Sequence, residues 1–359
     1  MRILDRYVLR EFVSYLGLGL AGFIVIFVVV DLFEKIDVFL DHRAPFFLVA
    51  RFYLYRAPEV VVYALPVALI LATFLALGQL NKFGELTAMR AAGVPLVVIL
   101  RPVLAVAVGA AAISLLVGEL LAPGATRERD RIWDEQIQRV RRDVERERAD
   151  VTYLGLGGRM YYIRLYLVPE QRMHEVSVLE FSQGQLVGRV DAAEATWDGK
   201  QWVFSSGWIR HFEGGRERAE PFVRLPAPQL GERPSDFAKE SLDPTQMNFV
   251  QLRHYIGKLR ASGLRVANYL VDLHFKLSFP VFNVIVVLIG ASVATRLRLQ
   301  SAALGFGFSV IIAFVYWAFM QLGKALGHSG VLSPYVAAWM GDVVFGAASV
   351  LLFVQAQRR

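Results

Sequence analysis

Six apolar stretches, each about as long as a bilayer is thick, constrain this chain more than any other feature of its sequence. Crossing about 30 Å of hydrocarbon takes roughly 20 apolar residues in a helix, because only a helix or a closed barrel satisfies its backbone groups there. Residues 12–30, 60–80, 277–295 and 299–323 contain no charged side chain. Residues 94–122 carry Arg101 and Glu119 near their two ends, where long side chains reach the interface, and 333–354 carry only Asp342. The expected fold class is an α-helical polytopic membrane protein with six spans. A hydrophobic share of 55% and a mean hydropathy of +0.43 agree with that class. The first stretch is too long for a signal peptide, lacks a small-residue cleavage site, and runs into Asp31-Leu32-Phe33-Glu34-Lys35, so it is expected to stay attached.

Short loops orient the spans through their basic residues. With the N-terminus inside, Arg2, Arg6, Arg10, Lys82, Arg90, Arg101, Arg296, Arg298, Arg358 and Arg359 fall on the inner side. Lys35, Arg43, Arg51, Arg56, Lys276 and Lys324 fall on the outer side. That balance predicts both termini in the cytoplasm and the long insertion between spans three and four in the periplasm. The same topological bias explains the net charge of +7, which therefore does not point to nucleic acid.

The insertion changes character along its length. Residues 125–148 read as a charged helix, with Trp133, Ile137, Val140 and Val144 at helical spacing. From Val151 onward, runs at 160–168, 176–181, 186–197 and 201–212 are rich in β-branched and aromatic residues and predict strands. Gly157-Gly158, Gln183-Gly184, Asp198-Gly199 and Gly214-Gly215 supply turns, and Asp198-Gly199 between two Trp-containing runs is the clearest hairpin. The expectation is an all-β sandwich or jelly-roll. Pro221, Pro226, Pro228, Pro234 and Pro244 then break the chain before a helix over 246–261. The domains are accordingly 1–124 with spans one to three, 125–262 with the β-domain and flanking helices, and 263–359 with spans four to six.

No catalytic set stands out. Cysteine is absent, which removes thiolate metal sites and cysteine nucleophiles. A P-loop, H-E-x-x-H and G-x-S-x-G are all missing, and no two of the six histidines have the spacing of a helical metal pair. The expectation is no cofactor, no metal and no enzymatic activity. The spans hold only Asp342 well inside, too little for an intramembrane protease. A structural hydrogen bond within the bundle is the better reading of that acid.

Between spans two and three, Gln79-Leu80-Asn81-Lys82-Phe83-Gly84-Glu85-Leu86-Thr87-Ala88-Met89-Arg90-Ala91-Ala92-Gly93-Val94-Pro95 is too polar to span and too helix-prone for a loose loop. It predicts a short cytoplasmic helix over about 81–93, ended by Gly93. This stretch resembles the coupling helix of the LptF/LptG permeases. Ile3-Leu4-Asp5-Arg6-Tyr7, Leu32-Phe33-Glu34-Lys35-Ile36-Asp37, Gly118-Glu119-Leu120-Leu121-Ala122-Pro123, the run from Leu273 to Pro280, and Ala337-Ala338-Trp339 extend the resemblance over nearly the whole chain. The Leu4-Asp5-Arg6-Tyr7 start is more similar to LptG than to LptF. Met340-Gly341-Asp342 departs from the Pro-Asn that commonly follows Ala-Ala-Trp in the family.

The resemblance implies a permease half of the lipopolysaccharide exporter in the bacterial inner membrane, with a periplasmic jelly-roll. It further implies an LptB-like ATPase dimer, an LptF-like permease partner, and delivery of lipopolysaccharide to LptC and LptA. Within the family the alternative is an LptF-type partner subunit; outside it, the alternative is a different lipid or lipoprotein ABC permease, or a membrane scaffold. The domain of such a permease would usually follow span one, and a coupling helix would be needless in a scaffold. By the same resemblance Glu85, with Met89 and Arg90, would engage the ATPase, against the plain reading of a helix-surface acid. Lys35 would meet lipid phosphates, against an i, i+4 pair with Asp31. Arg51 and Arg56 would draw anionic headgroups, against generic contact with bulk lipid. Spans one and five would line the lipid cavity, with Phe27, Phe33, Phe314 and Trp317 as candidate contacts.

Overall fold

The computed structural model describes residues 3–138, 147–155, 159–182, 185–213, 216–238, 244–261, 266–297 and 302–357. Val140, Val144, Arg298, both terminal arginines and the expected turns at Gly157-Gly158, Gln183-Gly184 and Gly214-Gly215 lie outside the described residues. The chain divides into two compact units, residues 1–137 with 267–359, and residues 138–266. The charged residues 125–137, assigned to the insertion on sequence grounds, thus pack within the first unit.

In the first unit, α1 (Ile3–Asp41), α2 (Phe46–Lys82), α4 (Leu96–Leu116), α8 (Ala267–Leu297), α9 (Ala302–His328) and α10 (Pro334–Gln357) contain the six apolar stretches, and all six are long and apolar enough to cross a membrane. Several of them overrun the expected spans, α1 and α2 the most. At about 1.5 Å per residue the 39 residues of α1 reach roughly 58 Å, well beyond the hydrocarbon, which places Asp31 and Lys35 on the same unbroken helix as the span. α2 joins the aromatic stretch 46–57 to the span at 60–80, straight through Pro58 and Pro66. Each proline removes one helical donor, a loss that neighbouring helices can offset in a buried element. Phe52 and Leu48 are held by Phe39, Ile132 and Trp133, so tertiary packing keeps this end of α2 helical.

α4 likewise continues without a break through a π turn (Val117–Leu121), α5 (Ala122–Arg131) and a second π turn (Ile132–Ile137). Pro123 lies within this continuous helix, directly after the first π turn, where the hydrogen-bond ladder is already irregular. The core is built by Leu69, Phe74 and Leu77 of α2, Ile99 and Val103 of α4, Phe282 and Val286 of α8, and Tyr316 of α9. Close approach of α9 to its neighbours depends on Gly323 and Gly327. A Cβ at Gly323 would stand 2.5 Å from the Ala337 carbonyl oxygen, and one at Gly327 would stand 2.6 Å from Val271. α3 (Glu85–Ala91) sits between α2 and α4, set apart by Gly84 at φ +70° and Gly93 at φ +80°, conformations that glycine adopts freely.

The second unit is one antiparallel sheet in chain order: β1 (Glu147–Leu154), β2 (Arg159–Leu167), β3 (Arg172–Ser182), β4 (Gln185–Trp197), β5 (Trp202–Glu213) and β6 (Arg216–Ala227). The all-β insertion is present, and among the described residues its strands follow one another in a meander. Short connections are the reason, since each strand can reach only the one before it. At Asp198-Gly199 the expected hairpin forms with Trp197 opposite Trp202. Asp198 Oδ1 accepts the Lys200 and Gln201 amides at 2.9 and 2.8 Å, which holds its carboxyl below the usual range. β1 and β6 were not expected. Pro221 and Pro226 spoil the strand pattern of β6, yet they are tolerated because β6 is an edge that pairs only with β5 among the described residues.

One face of the sheet is closed by residues 228–238, including α6 (Pro234–Ala238). Phe237 is fully buried among the rings of Tyr153, Tyr161, Tyr166 and Trp202, at 4.8 to 6.2 Å between centroids. Polar tips are satisfied around it. Tyr161 donates to Glu232 Oε2 at 2.7 Å, the Trp202 indole donates to the Glu232 carbonyl at 2.9 Å, and Tyr166 donates to the Pro234 carbonyl at 3.0 Å. After a 3-10 turn (Pro244–Gln246), α7 (Phe249–Ala261) closes the unit.

Candidate functional site

The candidate site lies where α1 crosses α2. Phe23, Phe27, Val30 and Glu34 recur at three and four residues along α1, and Arg56, Val60, Tyr63 and Val67 do so along α2. These two stripes, with Asp31 among them, line a cleft of about 450 Å³. Most of its wall is apolar.

Asp31 is 4% exposed and is the hub of the polar end. Its Oδ1 accepts Lys35 Nζ at 2.5 Å and faces Arg56 Nη2 at 2.9 Å, while Oδ2 accepts the Tyr53 hydroxyl at 3.0 Å. A buried charge is sustained only when it is paired and its lone pairs are used, and three partners from two helices do that here. The Arg56 guanidinium also stands over the rings of Phe27 at 5.4 Å and Phe52 at 6.0 Å, distances suited to cation–π attraction. Its Nε is buried with no hydrogen-bond partner among the described residues.

The expected residues thus separate into groups. Lys35, Arg56 and Phe27 come together. Arg51 instead faces Glu128 of α5 at 4.0 Å and lies over the Tyr55 ring at 5.6 Å. Phe33 is 69% exposed and does not line the cleft. Phe314 and Trp317 form a ring pair at 6.1 Å on the exposed side of α9, away from the cleft. α9 meets α1 through a different residue, Phe306, whose ring stacks on Phe23 at 6.1 Å. Tyr53 and Phe23 were not singled out from sequence. Asp31 was visible there as the partner of Lys35 four residues on, but its meeting with Arg56 and Tyr53 depends on how two helices cross.

α3 is a second cluster. Leu86 is buried and Met89 half-buried against the helical core, whereas Thr87, Ala88 and Ala91 face outward and Phe83 is exposed beside them. Glu85 Oε1 accepts the Tyr7 hydroxyl of α1 at 3.2 Å, and Arg90 Nη2 reaches the Ala356 carbonyl of α10 at 3.5 Å. Asn81, at the end of α2, donates to the Ala294 carbonyl of α8 at 3.1 Å. Glu85 and Arg90 are therefore tied to opposite ends of the chain.

Elsewhere, Asp342 of α10 accepts the Tyr316 hydroxyl at 2.7 Å inside the bundle. No group of three or more His, Asp or Glu side chains suited to a metal ion occurs among the described residues. A search of curated proteins returns no match. The family model described as "Lipopolysaccharide export system permease LptF/LptG" matches residues 6–355, without separating its two named branches.

Proposed function

The chain belongs to the LptF/LptG family of lipopolysaccharide export permeases, and from that premise we propose that it is an LptG-type half of the exporter, driven by a separate ATPase. It is a multi-pass membrane protein of a transport family. In this reading it works in the bacterial inner membrane beside an LptF-like permease. Together they take lipopolysaccharide from the membrane and pass it to a periplasmic bridge of LptC and LptA.

The observation that carries the proposal is α3. A seven-residue helix between two spans, with an outward face at Thr87, Ala88 and Ala91, has the form of a docking element. Its bonds to α1 and α10 supply a physical route for a push on α3 to reach the spans. Glu85, Met89 and Arg90 are the coupling residues in this account. The cleft between α1 and α2 is the lipid-facing site, where Lys35 and Arg56 meet a lipid phosphate and Phe27 meets an acyl chain. Arg51, Phe33, Phe314 and Trp317 belong to the surrounding lipid-facing surface. An odd number of spans separates α3 from the sheet, so in this reading both termini and α3 are cytoplasmic and the sheet is periplasmic.

Glu85→Ala tests the proposal. The expected result is loss of ATPase co-purification together with loss of lipopolysaccharide delivery, while the permease pair still assembles. Wild-type values for both would remove it.

A further inference from the structure

The cation pair at the cleft is already occupied by the protein's own acid. Arg56 is the basic side chain of the cleft lining, and Asp31 bridges it to Lys35 just beyond that lining, at 2.9 and 2.5 Å. Glu34 adds a second acid to the lining, so even with Lys35 counted beside it the cleft has no formal surplus of positive charge. A lipid phosphate entering this site would have to share, or take, cations that Asp31 already holds. The Tyr53 hydroxyl, bonded to the other carboxylate oxygen, fixes Asp31 in that bridging position. Among the described residues Arg56 retains a buried Nε without a partner, so Asp31 satisfies the guanidinium only in part and a donor is left for a second acceptor.

We infer that Asp31 is an internal competitor of the lipid phosphate, a positioning residue that holds Arg56 and Lys35 together when the cleft is empty and yields them to a phosphate-bearing lipid when it is filled. Its carboxylate sets how tightly the lipid is held and how readily it leaves. A lipid-borne phosphate is preferred over a free ion because the rest of the wall is apolar, with Phe23, Ile26, Val30 and Val60. The inference rests on the reading of Lys35 and Arg56 as the phosphate-binding pair. It goes beyond that reading by assigning control of release to an acid.

The test uses the full chain assembled with its permease and ATPase partners in nanodiscs of zwitterionic lipid. Binding and dissociation are measured for lipopolysaccharide and for the same lipid after enzymatic removal of its phosphates. Asp31→Asn keeps the shape and removes the charge. It is expected to bind the phosphorylated lipid about tenfold more tightly, the scale of one unit charge a few ångströms away in a nearly water-like dielectric, and to release it correspondingly slowly. Binding of the dephosphorylated lipid should not change, whereas a merely structural role would weaken both. Asp31→Glu should restore wild-type behaviour. Should Asp31→Asn fail to assemble, Tyr53→Phe carries the test: it loosens the acid while keeping the ring, for an expected gain of about threefold, the worth of one hydrogen bond.

No gain in either variant, or an equal gain for the dephosphorylated lipid, overturns the role of Asp31. Wild-type binding by Lys35→Gln and Arg56→Gln would instead overturn the phosphate-site reading on which it rests. An equal gain for an anionic phospholipid added to the discs would overturn assignment of the pair to the exported lipid.

Discussion

Tyr161 and Tyr166 stand on the face of the sheet that residues 228–238 close, and burial holds both phenols protonated well above their ordinary range. Burial is the larger cause for Tyr161, with the Glu232 carboxylate beside it adding to the effect; burial alone pushes Tyr166 up to about 12. A tyrosine whose pKa rises on folding stabilises the native state fully below its unfolded value of about 10, and loses that contribution as pH climbs through the folded value. The sheet unit should therefore weaken between about pH 10 and 12, the window set by Tyr166. Tyr166→Phe should flatten that alkaline loss at a neutral-pH cost of about 1 kcal/mol, the typical worth of its bond to the Pro234 carbonyl. Intrinsic fluorescence of the tryptophans, followed against pH in both proteins, would check it, and an unchanged alkaline midpoint would contradict it. The ring types were legible in the sequence. Which of them would be shut away from water was not, because that depends on a segment some 70 residues further along.

At the scale of elements, the two strands that the sequence pattern does not announce are the two edges of the sheet. An edge needs half its backbone bonds, so it tolerates proline and weak alternation, and those are the features that hide it. Pro221 lies opposite Trp208 and Pro226 opposite Val203 on β5. Five residues apart in one register, the two positions have opposite N–H directions, so one proline removes a donor from the free edge and makes β6 a poorer template for a further strand. Pro221→Val with Pro226→Val should leave the fold intact but raise self-association of the detergent-solubilised chain, read by light scattering. A monomeric profile equal to wild type would argue that the prolines have no such role. α2 shows the converse. Pro58 suggests a break, and the aromatic stretch before it suggests an interfacial segment, yet packing of Phe52 on Phe39 and Trp133 carries the helix across both.

For the whole molecule, the six helices are unequal. The most apolar windows of α2 and α8 are 72% and 67% buried, whereas those of α1 and α9 are 11% and 22% buried. α2 and α8 form the interior, and α1 and α9 present their apolar faces outward, where lipid or a second permease would cover them. That distribution is what the proposed half-transporter requires. The proposed topology can be tested directly because the chain has no cysteine. Lys200→Cys, in an exposed turn of the sheet, should react with an impermeant maleimide applied to spheroplasts. Ala88→Cys, on the outward face of α3, should react only after the inner membrane is opened. Labelling in the reverse order would overturn the orientation and the export reading with it.

Hydrophobic length and the run of basic residues belong to local sequence, which is why six spans, an inserted β unit and the short helix around Glu85 are legible in the chain itself. Each depends on the solvent a segment prefers, and a segment expresses that preference without its neighbours. The site is not legible in the same way. Along the chain Asp31 is visible only as the partner of Lys35 four residues on, and only the crossing of α1 on α2 brings Arg56 and Tyr53 to the same buried carboxylate. Ion pairing acts over a few ångströms of space and takes no account of distance along the chain. Tertiary structure alone therefore decided that Arg56 and Lys35 share one acid, Asp31, across two helices.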